Sequence, residues 1–259
     1  MNWFLFNKTL KVGTVLKQRY EVIQFIGRGS YGFVYLAVDR KTNTKVVVKQ
    51  HRQRRDHNSI QMLKKEAETL SSLRHQSIPS YIELFEEKNK WFLVMDYIDG
   101  SNFEDLILLQ GKSYNEKDSL QILFSALMIV SYLHENRFLH RDLRLPNIIK
   151  KDSELFIIDF GLAIKLEREE AVSLTDGKSE KELFKEQSFK SDFYALGHFL
   201  LFLLYSTYEP RSKQEQSWEE ELIISNETKR IIRKLLRIED SYDHIADITQ
   251  DVSALIDKL

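Results

Sequence analysis

Residues 140–147, which read HRDLRLPN, bring an acid, an amide and two guanidinium groups into one short stretch. Pro146 and the density of charge suit neither a helix interior nor a central strand, so we predict a loop. Asp142 is a carboxylate that could orient a hydroxyl group and accept its proton. Asn147 offers an amide oxygen, which is a hard ligand for Mg²⁺. The guanidinium of Arg144 could meet phosphate oxygens in two places.

A second set of residues outside this loop has related chemistry. Asp159, in the sequence DFG, is another candidate oxygen ligand for Mg²⁺. Lys49 ends the apolar run VVVK, and a lysine at a cleft needs a carboxylate partner because an unpaired buried charge is costly. Glu66, one helix later, is the expected partner. Glu68 competes with it, but lies about 200° around the helix, so only one of the two can face Lys49.

A glycine-rich sequence, GRGSYG, contains Gly27, Gly29 and Gly32 and is followed by Val34. It lies between two predicted strands rather than at a strand-to-helix turn, which disfavours a dinucleotide-binding fold. A hairpin of this kind could cover phosphates with its bare backbone, and Lys49 could then bind the α- and β-phosphates of a nucleotide.

The elements that must position these residues change character near residue 100. Before it, runs of β-branched and aromatic residues alternate with turn sequences around one helical pattern; after it, helices dominate. The predicted strands are YEVIQFIG, GFVYLAVD, KVVVKQ, YIELFEE and WFLVMDY, and the predicted helices are SIQMLKKEAETLSSL, SLQILFSALMIVSYLHEN, 191–206, 227–237 and 243–258. We therefore predict an α+β bilobal fold with a small β-rich lobe, a larger helical lobe and a ligand cleft between them.

The composition excludes several other classes of protein. A net charge of −1 argues against a general polyanion binder, and the basic run 49–57 lacks interleaved aromatic residues, so no nucleic-acid partner is predicted. With no cysteine, the 259-residue chain has no disulfide or thiol catalysis. The uncharged run 193–208 is short for a membrane span, and the apolar patch 3–6 is shorter than a signal-peptide core. We predict a cytoplasmic protein without a membrane span.

Taken together, the motifs resemble those of the eukaryotic-type protein kinases, including their bacterial members. The matching motifs are, in order, GRGSYGFV, VVVK, Glu66, HRDLRLPN, DFG and SDFYALG. The resemblance implies a bilobal protein-kinase-like fold, with an N-terminal extension at 1–13 and a kinase domain at 14–259. Within that domain it implies an N-lobe at 14–95, a hinge at 96–101 and a C-lobe at 102–259.

The same resemblance implies an ATP- and Mg²⁺-dependent protein kinase that phosphorylates Ser or Thr hydroxyl groups of an unknown protein substrate. Asp142 is then the catalytic base, Arg144 acts on the transferring group, and Lys49 with Glu66 forms the ion pair of the active state. The implied nucleotide-binding residues are Gly27, Gly29, Gly32, Val34, Val47, Lys49, Met95, Asp96, Ile98 and Asn102. The implied metal ligands are Asn147 and Asp159. Asp192 is implied to anchor the backbone of the catalytic loop.

Some positions depart from the family pattern. Val47 replaces the usual alanine above the adenine ring. Arg144 replaces the lysine typical of Ser/Thr kinases, and because some tyrosine kinases carry arginine there, this position leaves the acceptor open. The APE motif is replaced by KSE, in which only Glu180 matches, and the stretch that should supply its arginine partner reads EDSYDHIAD. These losses put peptide recognition in doubt.

Two rival interpretations and one regulatory hypothesis accompany this prediction. A small-molecule kinase of the aminoglycoside or choline type usually carries glycine in place of Arg141 and lacks DFG. A pseudokinase scaffold would normally have lost Lys49, Asp142 or Asp159. Arg141 could pair with a phosphate on Ser173 or Thr175 and so order the activation segment, or could simply bind local carbonyl groups. The sequence does not give the oligomeric state.

Overall fold

The computed structural model describes residues 9–28, 32–51, 58–167, 179–209 and 216–259. It contains two compact units. The first comprises residues 1–99, as far as they are described, together with 159–162; the second comprises 100–158 and 163–259. The first unit is rich in β-strands and the second in helices, which confirms the predicted α+β fold class.

The first unit is built on a six-stranded antiparallel sheet with the strand order β1-β2-β3-β4-β6-β5. The five predicted strands are confirmed, and β1 is an additional short strand that the sequence patterns did not indicate. The strands are β1 (Val15–Leu16), β2 (Tyr20–Arg28), β3 (Gly32–Asp39), β4 (Thr44–His51), β5 (Tyr81–Glu87) and β6 (Lys90–Asp96), and helix α1 (Asn58–Ser72) joins β4 to β5.

Alternation along β3 and β4 divides their side chains between two faces of the sheet. Tyr35 and Val48 are fully buried in a core cluster that also contains Phe92 and Val94 of β6. Because successive strand residues point to opposite faces, the intervening residues of β3 and β4 lie on the other face. Those residues include three of the predicted nucleotide-binding positions: Val34, Val47 and Lys49.

An ion pair fastens the start of β2 to the end of β3. The carboxylate of Asp39 is buried and accepts hydrogen bonds from Arg19 Nε at 2.8 Å and Arg19 Nη2 at 2.6 Å. The backbone N–H of Lys41 donates a further bond at 2.9 Å. The hydrogen bonds from Arg19, which outweigh the opposing effect of burial, lower the pKa of Asp39 from 3.8 to about 2.

We expect Asp39→Asn to lower the free energy of unfolding at pH 7 by about 2 kcal/mol. The folded-state pKa lies below the unfolded one, so the wild type keeps this contribution above about pH 4 and loses it as the pH falls towards 2. Urea unfolding measures the free energy of unfolding of both proteins. The difference between wild type and Asp39→Asn should be smaller at pH 3 than at pH 7. Glu21→Gln, at an exposed ion pair with Arg40, is the control and should change little. A gap independent of pH would contradict the assignment.

The second unit consists mainly of helices with two small antiparallel sheets. The predicted helices are confirmed with boundaries shifted by a few residues, whereas α3, α5 and a π-helical turn at Asp105–Leu109 were not predicted. The helices are α2 (Glu116–Glu135), α3 (Glu180–Lys185), α4 (Phe189–Tyr205), α5 (Trp218–Glu221), α6 (Asn226–Leu235) and α7 (Ile245–Ile256). The short strands are β7 (Ser101–Asn102), β8 (Phe138–Leu139), β9 (Ile148–Lys151), β10 (Glu154–Ile157) and β11 (Ile164–Lys165). Among the described helices, none has the length and apolar character needed to cross a membrane.

Helix α4 is the apolar centre of this unit, and a glycine lets a neighbouring helix approach it. A Cβ atom added to Gly197 would lie 2.9 Å from Leu236 Cδ2 and 3.0 Å from Leu235 Cβ. A larger residue would therefore push the end of α6 away from α4. Arg237, two residues beyond α6, in turn pairs with Glu186, three residues before α4.

Candidate active site

A buried cluster of charges occupies the face of the first unit opposite its main core. Lys49 Nζ lies 2.6 Å from Glu66 Oε1 and 2.9 Å from Asp159 Oδ1. Glu66 is buried, whereas Glu68 is exposed. Of the two candidate glutamates in α1, Glu66 is therefore the partner of Lys49. This brings together three of the residues singled out from the sequence.

The charges around Lys49 keep it protonated. Burial disfavours the ammonium, but the carboxylates of Asp159 and Glu66 outweigh burial and raise the pKa of Lys49 above its ordinary value. Asp159 is the more accessible of the two carboxylates, with 36% of its side chain exposed against 4% for Glu66. The backbone of Asp159 has φ of +64°, a left-handed conformation that is costly for a residue other than glycine. A permanent cation is thus held beside an accessible carboxylate.

The glycines of the β2–β3 hairpin differ in what surrounds them. A Cβ atom added to Gly27 would meet no atom within 4 Å, so a ligand can approach its backbone. A Cβ atom on Gly32 would lie 1.9 Å from the carbonyl oxygen of Gln50, so no side chain fits there. Gly29 lies outside the described residues. An open backbone together with the Lys49 ammonium fits a ligand that carries phosphates.

The residues predicted to contact adenine and ribose differ in their burial and in the hydrogen bonds that they already form. Met95 is buried and pairs with Val47 in the β4–β6 register. The backbone N–H of Asp96 donates to the carbonyl of Ser80 at 3.1 Å, and Ile98 is half-buried. In the second unit, Asn102 uses both ends of its amide on Asp105: Nδ2 donates to Oδ2 at 2.9 Å, and Oδ1 accepts from the backbone N–H at 2.8 Å. A contact of Asn102 with a ribose would therefore replace these bonds.

In the second unit, the catalytic-loop candidates form a compact group around one carboxylate. Arg144 Nε donates to Asp142 Oδ1 at 2.5 Å, and Arg144 Nη2 donates to Oδ2 at 3.0 Å. Asn147 Nδ2 donates to Asp142 Oδ2 at 2.8 Å and to its backbone carbonyl at 2.9 Å. Since the amide nitrogen of Asn147 faces Asp142, its oxygen points the other way. The three residues named from the sequence HRDLRLPN are thus brought together, with Asp142 at the centre.

A buried aspartate holds the backbone that leads into this group. Asp192, at the start of α4, has no exposed surface and accepts hydrogen bonds from the backbone N–H of His140 at 3.0 Å and of Arg141 at 2.8 Å. His134 Nε2 lies 3.0 Å from the same carboxylate. Burial opposes ionisation, but the hydrogen bond and charge of His134 outweigh it and lower the pKa of Asp192. The anchoring role that the sequence resemblance implied for Asp192 is therefore confirmed.

The donor atoms of the two candidate metal ligands fit Mg²⁺. Asn147 offers an amide oxygen and Asp159 a carboxylate, both hard oxygen donors of the kind that Mg²⁺ prefers. Mg²⁺ in nucleotide sites commonly takes one or two protein ligands and fills its other positions with phosphate oxygens and water. Each of the two residues therefore carries a donor atom of the kind that Mg²⁺ accepts.

The structure adds an ion pair that the sequence patterns did not predict. The glutamate of the degraded APE region was placed at Glu180, without an arginine partner. In the structure Glu180 is exposed, and Glu186 instead pairs with Arg237, with Nη1 2.6 Å from Oε2. Only 4% of the Arg237 side chain and 10% of the Glu186 side chain are exposed. The segment that precedes α4 is therefore tied to the end of α6 by a buried ion pair, which the sequence motif did not reveal.

We expect Glu186→Gln to destabilise the protein by about 3 kcal/mol, because it leaves the buried guanidinium of Arg237 without a counter-charge. The double variant Glu186→Gln/Arg237→Met should recover part of that loss, since it removes both charges. Denaturant unfolding measures both values, with exposed Arg230→Ala as the control. Equal stability of Glu186→Gln and wild type would show that the pair contributes nothing.

The proposed phosphorylation sites Ser173 and Thr175 lie outside the described residues. Ser179, at the edge of that segment, is the N-cap of helix α3 in a capping box: its backbone N–H donates to Glu182 Oε2 at 2.8 Å, and its hydroxyl donates to the same oxygen at 2.6 Å. Arg141 has a backbone φ of +65° beside Asp142. The activation-segment hypothesis therefore stays a prediction.

Comparison with known proteins adds an independent observation. Residues 20–259 match the protein family described as "Protein kinase domain". A probable serine/threonine-protein kinase YbdM of Bacillus subtilis is 35% identical over 254 residues, which cover 97% of this chain and 95% of the relative. Serine/threonine-protein kinase B of Synechocystis is 26% identical, over 86% of this chain and 44% of the relative. Calcium-dependent protein kinase 4 of Plasmodium berghei is 35% identical, over 59% of this chain and 30% of the relative.

Proposed function

Because this chain belongs to the protein kinase family, we propose that it transfers the γ-phosphoryl group of ATP to Ser and Thr hydroxyl groups of a protein substrate. The observation that carries the proposal is the buried Lys49 ammonium, held between Glu66 and the accessible carboxylate of Asp159. The relatives named above as serine/threonine kinases support the choice of acceptor. The cytoplasmic location drawn from the sequence stays a prediction, and the protein substrate is unknown.

The candidate residues have different parts in the proposed reaction. In the first unit, Lys49 binds the α- and β-phosphates, and the open backbone at Gly27 lies over them. In the second unit, Asp142 orients the acceptor hydroxyl and takes its proton as the oxygen–phosphorus bond to the acceptor forms. The bond between the γ-phosphorus and the β–γ bridging oxygen breaks, and ADP leaves. Asn147 and Asp159 would hold Mg²⁺, which when bound neutralises charge on the phosphates.

The position of Arg144 supports a role in positioning the base as well as in charge stabilisation. Its guanidinium forms two hydrogen bonds with the Asp142 carboxylate, and 62% of its side chain is exposed. Because it is exposed, the guanidinium can also donate hydrogen bonds to phosphate oxygens. These bonds would strengthen as charge redistributes on the phosphoryl group during transfer. Both roles affect the rate of the chemical step more than the affinity for ATP.

We expect Arg144→Ala to lower kcat by about 10- to 100-fold while changing the KM for ATP by no more than about threefold. Arg144→Lys should retain more activity than Arg144→Ala, because it keeps the charge but loses the two-point contact. Steady-state kinetics with varied ATP separates kcat from KM. A change confined to KM would show that Arg144 only helps ATP to bind.

Product analysis discriminates the proposed function from its two rivals. ATP labelled at the γ-phosphate is incubated with the protein and a panel of acceptor proteins, aminoglycosides and choline, and labelled proteins are hydrolysed to identify the phosphoamino acid. We expect phosphoserine and phosphothreonine in proteins. Label in the small molecules alone would favour a small-molecule kinase, phosphotyrosine alone would change the acceptor, and absence of transfer together with nucleotide binding would favour a pseudokinase.

A further inference from the structure

A recess in the helical unit is lined by residues that have no part in the site described above. It is formed by the first turn of α2, the end of α4 and the chain between α5 and α6, and it encloses about 420 Å³. That volume falls within the roughly 300–1,000 Å³ typical of ligand sites. We call it the α4–α6 recess; the lining residues that matter here are Glu116, Leu204, Glu209, Glu221, Leu222 and Ile223.

Side-chain hydrogen bonds fix the walls of the α4–α6 recess. Glu116 Oε1 accepts bonds from the backbone N–H of Ser225 at 2.9 Å and from the hydroxyl of Thr228 at 2.5 Å, which joins the start of α2 to the start of α6. The hydroxyl of Tyr205 donates to Glu221 Oε2 at 2.5 Å, which joins α4 to α5. These bonds hold the described walls of the recess together without the help of a ligand.

The lining carries negative charge that the described chain does not neutralise. Glu116, Glu209 and Glu221 line the recess, and no lysine or arginine does so in the part of the chain that the structure describes. None of the three forms an ion pair with a described residue. Carboxylates around a concave, partly apolar surface raise the local concentration of cations and repel anions. A nucleotide or another phosphate compound is therefore an unsuitable ligand for the recess.

The recess also offers apolar surface. Of its apolar lining residues, Leu204 and Leu222 are buried, whereas 76% of Ile223 is exposed. Covering this isoleucine would remove apolar surface from water, which is favourable. A ligand that combines one cationic side chain with one apolar side chain would satisfy both features.

We propose that the α4–α6 recess docks a segment of the protein substrate in which a lysine or arginine lies next to an apolar residue. The cationic group meets Glu209 and Glu221, and the apolar side chain covers Ile223 and Leu222. This inference rests on the proposed function, because it assigns the ligand as substrate. It gives the substrate a second contact with the chain, through residues other than those assigned to phosphoryl transfer.

Direct binding of short peptides tests the recess without requiring catalysis. The probes are fluorescent eight-residue peptides with an Arg-Leu pair in a background of Gly, Ala and Gln, and a matched set with Glu-Leu. Fluorescence anisotropy with the full chain should give a Kd below about 1 mM for the Arg-Leu peptide, and weaker binding at high salt. Glu209→Gln and Ile223→Ser should each raise that Kd by about fivefold or more.

Matched controls lie on exposed surface of the same unit. Glu154→Gln and Ile238→Ser make the same chemical changes outside the recess and should leave the Kd unchanged. Equal affinity for the Arg-Leu and Glu-Leu peptides would overturn the proposal. So would a Kd that Glu209→Gln and Ile223→Ser do not alter.

A second readout separates this inference from the proposed function. Phosphorylation of a short acceptor peptide that lacks the basic–apolar pair should proceed at the wild-type rate in Glu209→Gln and Ile223→Ser, whereas phosphorylation of the same acceptor joined to the Arg-Leu pair should show a raised KM in both. Peptide binding without any phosphoryl transfer by the wild type would reject the proposed function. Transfer with equal KM for the two acceptors would reject docking of a substrate.

Discussion

Lys49→Met is expected to reduce the rate of phosphoryl transfer by about a thousandfold, the scale at which a buried, preorganised charge stabilises a transition state. The ammonium lies between two carboxylates that raise its pKa, so it is cationic at every physiological pH. Methionine has a similar length and apolar stem but no charge to offer the phosphates. The loss should appear in kcat/KM for ATP when initial rates are measured over a range of ATP concentrations.

The fold should survive this substitution because the partner carboxylate can adapt. Burial already raises the pKa of Glu66, so it can take up a proton once Lys49 is absent. Lys45→Met, which removes an exposed lysine from the same strand, is the matched control and should retain wild-type activity. A cooperative unfolding transition should remain in both variants. A folded Lys49→Met protein with wild-type turnover would remove Lys49 from the proposed site.

Asp142→Asn is expected to lower kcat by about 10² to 10⁴, the range found when a general base is removed. Asparagine keeps the shape of the side chain but cannot accept the proton of the acceptor hydroxyl. The loop should keep its backbone conformation, because Asp192 binds the N–H groups of the two preceding residues. The affinity for ATP should therefore change little, in contrast to Lys49→Met.

Kinetics and nucleotide binding, measured on the same preparation, check this contrast. Isothermal titration with a non-hydrolysable ATP analogue gives the affinity, and initial rates give kcat. Asp152→Asn, in the exposed turn between β9 and β10, is the control. An Asp142→Asn protein that loses ATP affinity but keeps its kcat would show that Asp142 acts in binding and that another group takes the proton.

Local sequence patterns predicted the parts of the molecule that depend on local physics. Runs of β-branched and aromatic residues predicted β3 and β4, and the pairing of these strands sets Val34 opposite Lys49 and Leu36 opposite Val47. The short spacing between Asp142, Arg144 and Asn147 brought these residues into one loop, where they contact each other. Helix geometry allowed only one of Glu66 and Glu68 to face Lys49, and the structure shows that Glu66 is the one that does. In each case neighbours along the chain, or one strand or helix away, set the geometry.

Features that depend on distant partners could not be predicted in this way. The Glu186–Arg237 pair joins residues whose spacing fits no family motif, and the arginine reaches Glu186 because α6 packs closely on Gly197. Asn102 was assigned to a ribose by its position, but its amide caps the turn at Asp105. The four-residue helix α5 is too short to show a period. The α4–α6 recess could not be recognised from a sequence motif, because its lining residues come from three separate segments of the chain.

Transfer of label from ATP to an acceptor protein tests the central claim most directly. The measurement uses ATP labelled at either the γ- or the α-phosphate, with and without Mg²⁺, and compares the wild type with Lys49→Met. We predict that only the γ-label enters the acceptor, as phosphoserine or phosphothreonine, that it requires Mg²⁺, and that Lys49→Met abolishes it. Absence of γ-label from every acceptor, or equal incorporation by the wild type and Lys49→Met, would contradict the account.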